Sequence, residues 1–223
     1  SIDWKEQTSD NPQVKGMSEL YRRAFGLLGS EKVRRAFNLT GESEKLRDDY
    51  GRSRFGQTLL LARRLVQARV PLITINWSKL NADQWDTHQN NYPRLRKLLP
   101  PFDHGLAAFL QDLEDRRLLD STLVVCLGEF GRTPMAQSNK GSVGRDHHMR
   151  AFSMFFCGGG IKGGVTHGAT DELGFYATEN PHYVTDIHAT VLHQLGLDAQ
   201  RLEVPGRKRI DIHRGQKIDE IIA

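Results

Sequence analysis

The chain has 223 residues, 38% of them hydrophobic and 26% charged, and a formal net charge of +4 at pH 7. A composition this close to the globular average, in a chain long enough to bury its own core, needs no disulfide staples. No apolar run approaches the roughly 20 residues of a bilayer-spanning helix, so no membrane partner is expected. The two cysteines, Cys126 and Cys157, each lie in a short apolar run and read as core thiols. A sequence pI near 9.1 favours anionic partners. The arginine pairs Arg22-Arg23, Arg34-Arg35, Arg63-Arg64 and Arg116-Arg117 are scattered rather than interleaved with aromatics, so they read as solvated helix faces and no nucleic-acid partner is expected. The opening residues, Ser1-Ile2-Asp3-Trp4-Lys5-Glu6, show no basic stretch followed by an apolar core, the mark of a signal or transit peptide. If the natural protein is exported, the address has been lost from this sequence.

In chain order, Leu20, Ala24, Leu27 and Leu28 recur at helical intervals inside Met17 to Phe37, so residues 1–50 read as a helical N-terminal extension or remnant. Phe55, Leu59, Leu60, Ala62, Leu65 and Val66 predict a helix that ends before Pro71. Leu72 to Trp77 reads as a strand, and after a loop rich in Asn, Asp and Trp, Pro93 to Leu118 predicts a long amphipathic helix. Ser121 to Leu127 is a near-continuous apolar run of the kind buried on both faces of a parallel sheet. A further strand, Ala151 to Cys157, runs into Gly158-Gly159-Gly160, and a last helix from about Tyr183 to Leu195 stops at Gly196. The alternation of strand, helix and strand predicts an α/β fold, a mostly parallel sheet flanked by helices, with right-handed crossovers.

Ligands in open α/β sheets bind beyond the carboxyl ends of strands, and three chemically loaded loops fall there. Trp85-Asp86-Thr87-His88 follows the first strand, Gly128-Glu129-Phe130-Gly131-Arg132-Thr133 follows the second, and Gly144-Arg145-Asp146-His147-His148 precedes the third. Carboxylate oxygens and imidazole nitrogens together suit zinc, manganese or iron. Taken singly each motif has a plain structural alternative: a loop hydrogen bond for Asp86 and His88, a buried ion pair with Arg132 for Glu129, a helix cap or surface turn for Asp146-His147-His148. Their joint occurrence raises the metal reading. His104, His188 and His193 read as structural or surface groups, His167 as a distant candidate for the same site, and Gly158 to Gly164 as a strand-to-strand turn without the Lys-Ser/Thr of a phosphate loop.

The stretches FGQTLLLARR (Phe55 to Arg64), WDTHQN (Trp85 to Asn90), LDSTLVVCLGEFGRTP (Leu119 to Pro134), GRDHH (Gly144 to His148), GGGIKGG (Gly158 to Gly164) and DIHATVLHQLG (Asp186 to Gly196) resemble the bacterial family catalogued as domain of unknown function 1501. That family is similar to the alkaline-phosphatase superfamily, which includes the sulfatases. The resemblance implies an alkaline-phosphatase/sulfatase-like fold and a metal-dependent hydrolase of phosphate or sulfate esters, acting on an anionic small-molecule or glycan ester. It implies a divalent metal as cofactor: zinc or manganese, or else calcium or magnesium. One metal falls to Asp86, His88 and His147, while Glu129 stands where a second metal finds its ligands and Phe130 replaces one of them. Arg132 and Arg145 are expected to steady anionic oxygens. Superfamily members usually begin with a metal-binding Asp on a strand and a Ser, Thr or Cys nucleophile at a helix N-terminus, and nothing before Phe55 resembles either. Residues 51–223 are therefore expected to be the C-terminal part of such a domain, with Thr87 and Thr133 the hydroxyls nearest the metal ligands. The alternative is a non-catalytic binding or structural protein that retains the fold.

Overall fold

Serine hydroxyls open two helices in the first half of the chain in this computed structural model, which describes residues 21, 22, 25, 26, 29–77, 85–139, 141–198, 201 and 215–223. The periodicity read at Leu20, Ala24, Leu27 and Leu28 lies outside the described residues. After α1 (Glu31–Ala36), Ser43 accepts from Leu46 N at 3.1 Å to begin α2 (Glu44–Asp49), and Ser53 accepts from Gly56 N at 3.1 Å to begin α3 (Arg54–Gln67). The long helix α4 (Asn91–Asp115) carries Pro100 and Pro101 inside it, two positions that donate no backbone hydrogen bond. Two compact units divide the chain, Ser1–Arg35 with Tyr183–Ile218, and Ala36–His182 with Asp219–Ala223. Among the described residues no helix is long and apolar enough to cross a membrane.

The core of the second unit lies between α3 and α4. Phe55, Leu59, Leu60 and Ala62 on one helix meet Phe109 and Leu113 on the other, with Tyr50 completing the cluster. Leu60 and Leu113 are fully buried, each worth about 1.5 to 3 kcal/mol relative to exposure. An ionic group is sealed into the same helix pair: Arg63 pairs with Glu42 at 2.9 Å and with Asp112 at 2.8 Å, and its side chain is 2% exposed. Tyr50 donates to Asp112 Oδ2 at 2.8 Å and Arg116 donates to Asp112 Oδ1 at 2.6 Å, while Arg64 also pairs with Glu42. Burial and the Asp112 carboxylate push the Tyr50 phenol far above its ordinary range. Burial pushes the Glu42 carboxyl up, but Arg64 and Arg63 outweigh it and hold the group below the usual carboxylate range.

The expected parallel sheet is not formed. Among the described residues the strands pair two by two, all antiparallel: β1 (Val124–Cys126) with β6 (Phe155–Cys157), β2 (Gly131–Arg132) with β5 (His147–His148), β3 (Gln137–Asn139) with β4 (Ser142–Gly144), and β7 (Ala169–Thr170) with β8 (Ala177–Glu179). Two apolar runs carry the expectation of that sheet, and a short run does not distinguish a doubly covered strand from an extended segment with one covered face. Ile73, Ile75 and Trp77 pack against the helical core while Leu72, Thr74 and Asn76 face outward, and the segment joins no ladder among the described residues. The run through Val124 forms only three laddered residues, all half-buried, and Leu127 is exposed. Cys126 and Cys157 are free, and burial pushes the Cys126 thiol up. Beyond β6, Gly158, Gly159 and Gly160 all take positive φ, and a Cβ at Gly158 would lie 2.4 Å from the Leu119 carbonyl oxygen. The triple glycine is a tight fitted turn.

In the first unit, α5 (Val184–Gln194) ends as the sequence predicts, with Gly196 at φ 74 and Leu197 N donating back to Leu192 O at 2.8 Å. Asp186 accepts from Tyr183 N and from Gln216 N, both at 2.9 Å, and the buried Thr190 hydroxyl accepts from Ile218 N at 3.0 Å. Residues 216–218 are thereby tied to the helix.

Candidate metal centre

Alternation along β5 sends its two histidines to opposite faces. His148 turns inward, 9% exposed, with Nε2 donating to the Phe175 carbonyl at 2.7 Å, and His147 turns outward. Across the ladder Arg132 is the partner of His147 and so shares its face. Both reach one atom: Asp86 Oδ1 lies 3.0 Å from His147 Nε2 and 2.6 Å from Arg132 Nη1.

The loop bearing Asp86 and His88 is seated on the end of β4. Arg145 N donates to Thr87 O at 2.9 Å, and a Cβ at Gly144 would lie 1.9 Å from the His88 carbonyl oxygen, so only glycine fits. Thr87 is the anchor. It is 1% exposed, and its hydroxyl donates to Asn91 Oδ1 at 2.5 Å in the first turn of α4. With Thr87 held inward, Asp86 and His88 on either side of it turn outward together, and His88 Nε2 comes to 3.1 Å from both Asp86 Oδ1 and His147 Nε2.

Asp86 Oδ1, His88 Nε2 and His147 Nε2 thus form a near-equilateral triangle of 3.0, 3.1 and 3.1 Å. Ligands about 2.1 Å from an ion are about 3.0 Å apart at right angles and about 3.4 Å apart at the tetrahedral angle. The three atoms therefore match adjacent positions around one ion without movement. The far side of the His88 ring is held as well. His88 Nδ1 lies 2.8 Å from Gln137 Oε1 and 3.7 Å from Asp146 Oδ1, two acceptors that call for the proton on that nitrogen. The other ring nitrogen, Nε2, is thereby aimed at Asp86 and His147. Burial pushes the Asp86 carboxyl up, but the hydrogen bond from His147 and the Arg132 guanidinium outweigh it and keep the group below the usual carboxylate range.

The other residues singled out in the sequence lie elsewhere or do other work. Glu129 is exposed just beyond β1 and outside the converging group; Arg132, its expected ion-pair partner, is engaged by Asp86. Arg145 donates to the backbone carbonyls of Thr133, at 2.9 Å, and Pro134, and to the Tyr92 hydroxyl at 3.3 Å, so its guanidinium fixes the loop after β2. Phe130 lays its ring 4.3 Å from that of His147, with the Arg132 guanidinium 5.8 Å above it. His188 and His193 are exposed on α5. Gln137 and the packing role of Gly144 are not legible in the sequence: an isolated glutamine carries no signal, and the glycine, although part of the third loop motif, acts only through contact with a loop distant in sequence.

Fold and site together define a class: a helix pair with small antiparallel ladders that present two histidines and a carboxylate at one point. A family model described as Protein of unknown function (DUF1501) matches residues 3–222, and the chain belongs to that family. Neither the curated proteins nor the solved structures include a match to the chain.

Proposed function

We propose that Asp86, His88 and His147 hold a divalent cation, zinc or manganese in first place, and that the protein is a metal-dependent hydrolase of phosphate or sulfate esters. The observation that carries the proposal is the 3.0 to 3.1 Å triangle of ligand atoms, two imidazole nitrogens and one carboxylate oxygen. An ion there would supply Lewis acidity to a bound ester oxygen. The chain's own contribution is positional. Gln137 and Asp146 orient His88, Phe130 backs the His147 ring, and Arg132 offers on the same face a planar guanidinium suited to the paired oxygens of a phosphate or sulfate. Arg145 holds the loop that carries Thr133.

A second reading, a metal-binding protein without catalysis, is favoured by the state of the nearby hydroxyls. Thr87 is buried and bonded to Asn91, and Thr133 donates to the Met135 carbonyl at 2.9 Å while accepting from Asp146 N at 3.1 Å. Neither is poised as a nucleophile. Zinc and manganese titration of the chelator-treated chain, followed by turnover of aryl phosphate and aryl sulfate esters, separates the two. The hydrolase reading expects metal-dependent turnover that Asp86→Asn removes. Turnover unaffected by Asp86→Asn would overturn it, and metal binding at Asp86 without turnover by the unaltered chain would leave the second reading.

A further inference from the structure

Among the described residues a second group of metal-ligating side chains converges, sharing no member with the first: His167, His182 and Glu220. The two histidines flank the hairpin of β7 and β8. Ala169 is the ladder partner of Glu179, so the residues just before β7 and just after β8 leave the hairpin side by side. Gly168 at φ 81 and Asn180 at φ 43 turn the chain there. The rings face each other nitrogen to nitrogen, with Nε2 atoms 2.8 Å apart and centroids 5.0 Å apart.

Glu220 arrives from the other end of the chain, in the short 3-10 turn Asp219–Ile221. Its backbone is fixed to the glycine turn after β6: Lys162 N donates to Ile221 O at 2.8 Å, Lys162 Nζ to Glu220 O at 3.0 Å, and Ala223 N to Gly160 O at 2.9 Å. These bonds fix the main chain and leave the Glu220 carboxylate with no hydrogen bond or ion pair among the described residues. The carboxylate and both imidazole nitrogens lie within 4.8 Å of one another. A divalent ion answers all three.

We propose that His167, His182 and Glu220 form a second metal site, selective for a nitrogen-favouring transition ion such as zinc, that fastens the C-terminal segment to the β7–β8 hairpin. Two imidazoles and one carboxylate favour zinc, nickel or copper over calcium and magnesium, whose ligands are oxygens. Its role is structural, because the site joins two chain segments, and binding that requires the folded arrangement stabilises it by mass action.

The test is zinc stoichiometry and thermal stability of the full chain after chelator treatment, with zinc alone as the probe. The unaltered chain is expected to bind two zinc ions, and Asp86→Asn/His147→Ala and His167→Ala/His182→Ala one each. Zinc should still raise Tm in Asp86→Asn/His147→Ala, and adding Glu220→Gln should shrink that shift. An Asp86→Asn/His147→Ala chain that folds but takes up no zinc would overturn this site. One zinc per unaltered chain, lost only in His167→Ala/His182→Ala, would instead overturn the site at Asp86. Should the histidine variants fail to fold, diethyl pyrocarbonate modification of the unaltered chain decides: zinc must protect His167 and His182, and equal modification with and without zinc refutes the proposal.

Discussion

The same unit holds two ionic groups in opposite surroundings, one around Arg63 inside the helix pair and one around Asp86 at the ladder edges. In the first, Glu42 and Asp112 enclose a guanidinium that is 2% exposed. In the second, Arg132 meets an Asp86 whose side chain is 45% exposed. A charge out of contact with water must be answered by fixed neighbours, so the inner group binds the fold to one arrangement; an exposed group can exchange partners with solvent and ions. Similar side chains thus serve as structure in one place and are available for ligand binding in the other.

The comparison predicts its largest effect at Asp112. Asp112→Ala strips Arg63, Tyr50 and Arg116 of an acceptor at once, and the expected loss is roughly 3 to 5 kcal/mol, read from urea unfolding. A loss no larger than that of an exposed pair, below about 1 kcal/mol, would erase the distinction between the two groups. Gly144→Ala comes next. The added methyl must displace the His88 carbonyl, so a cost of about 1 to 3 kcal/mol is expected, together with weaker zinc binding at Asp86. Unchanged zinc affinity would show that this close approach does not position His88. The smallest effect concerns acid. The Glu42 carboxyl is held below its unfolded value near 4.3, so its contribution to stability is complete above about pH 5 and is lost as pH falls through the lower folded value. Urea midpoints from pH 7 down to 3 should fall more steeply in the unaltered chain than in Glu42→Gln, and parallel curves would contradict that assignment.

Helices were the part of the fold most legible in the sequence. The spacing of Phe55, Leu59 and Ala62 and the glycine after α5 are local signals, because a helix closes its hydrogen bonds within a few residues. Sheet pairing is not local. The run from Leu123 to Leu127 was equally compatible with a parallel or an antiparallel neighbour, and only the position of Phe155 to Cys157 beside it decided. The extended segment through Ile73 and Ile75 shows the same ambiguity, since its alternation reports one covered face and not what covers it.

For the site, the sequence by itself determined the chemistry available at Asp86, His88 and His147, because residue type fixes which atoms can donate a lone pair. By the same test Glu129 belongs with them, and His167 is a more distant candidate. The tertiary structure alone decided that Glu129 stays outside the triangle, that Arg132 faces Asp86, that Arg145 serves the backbone, and that His167 finds His182 and Glu220 instead. Each of these outcomes depends on strand register and close packing between segments tens of residues apart, where a shift of one residue turns a side chain to the opposite face.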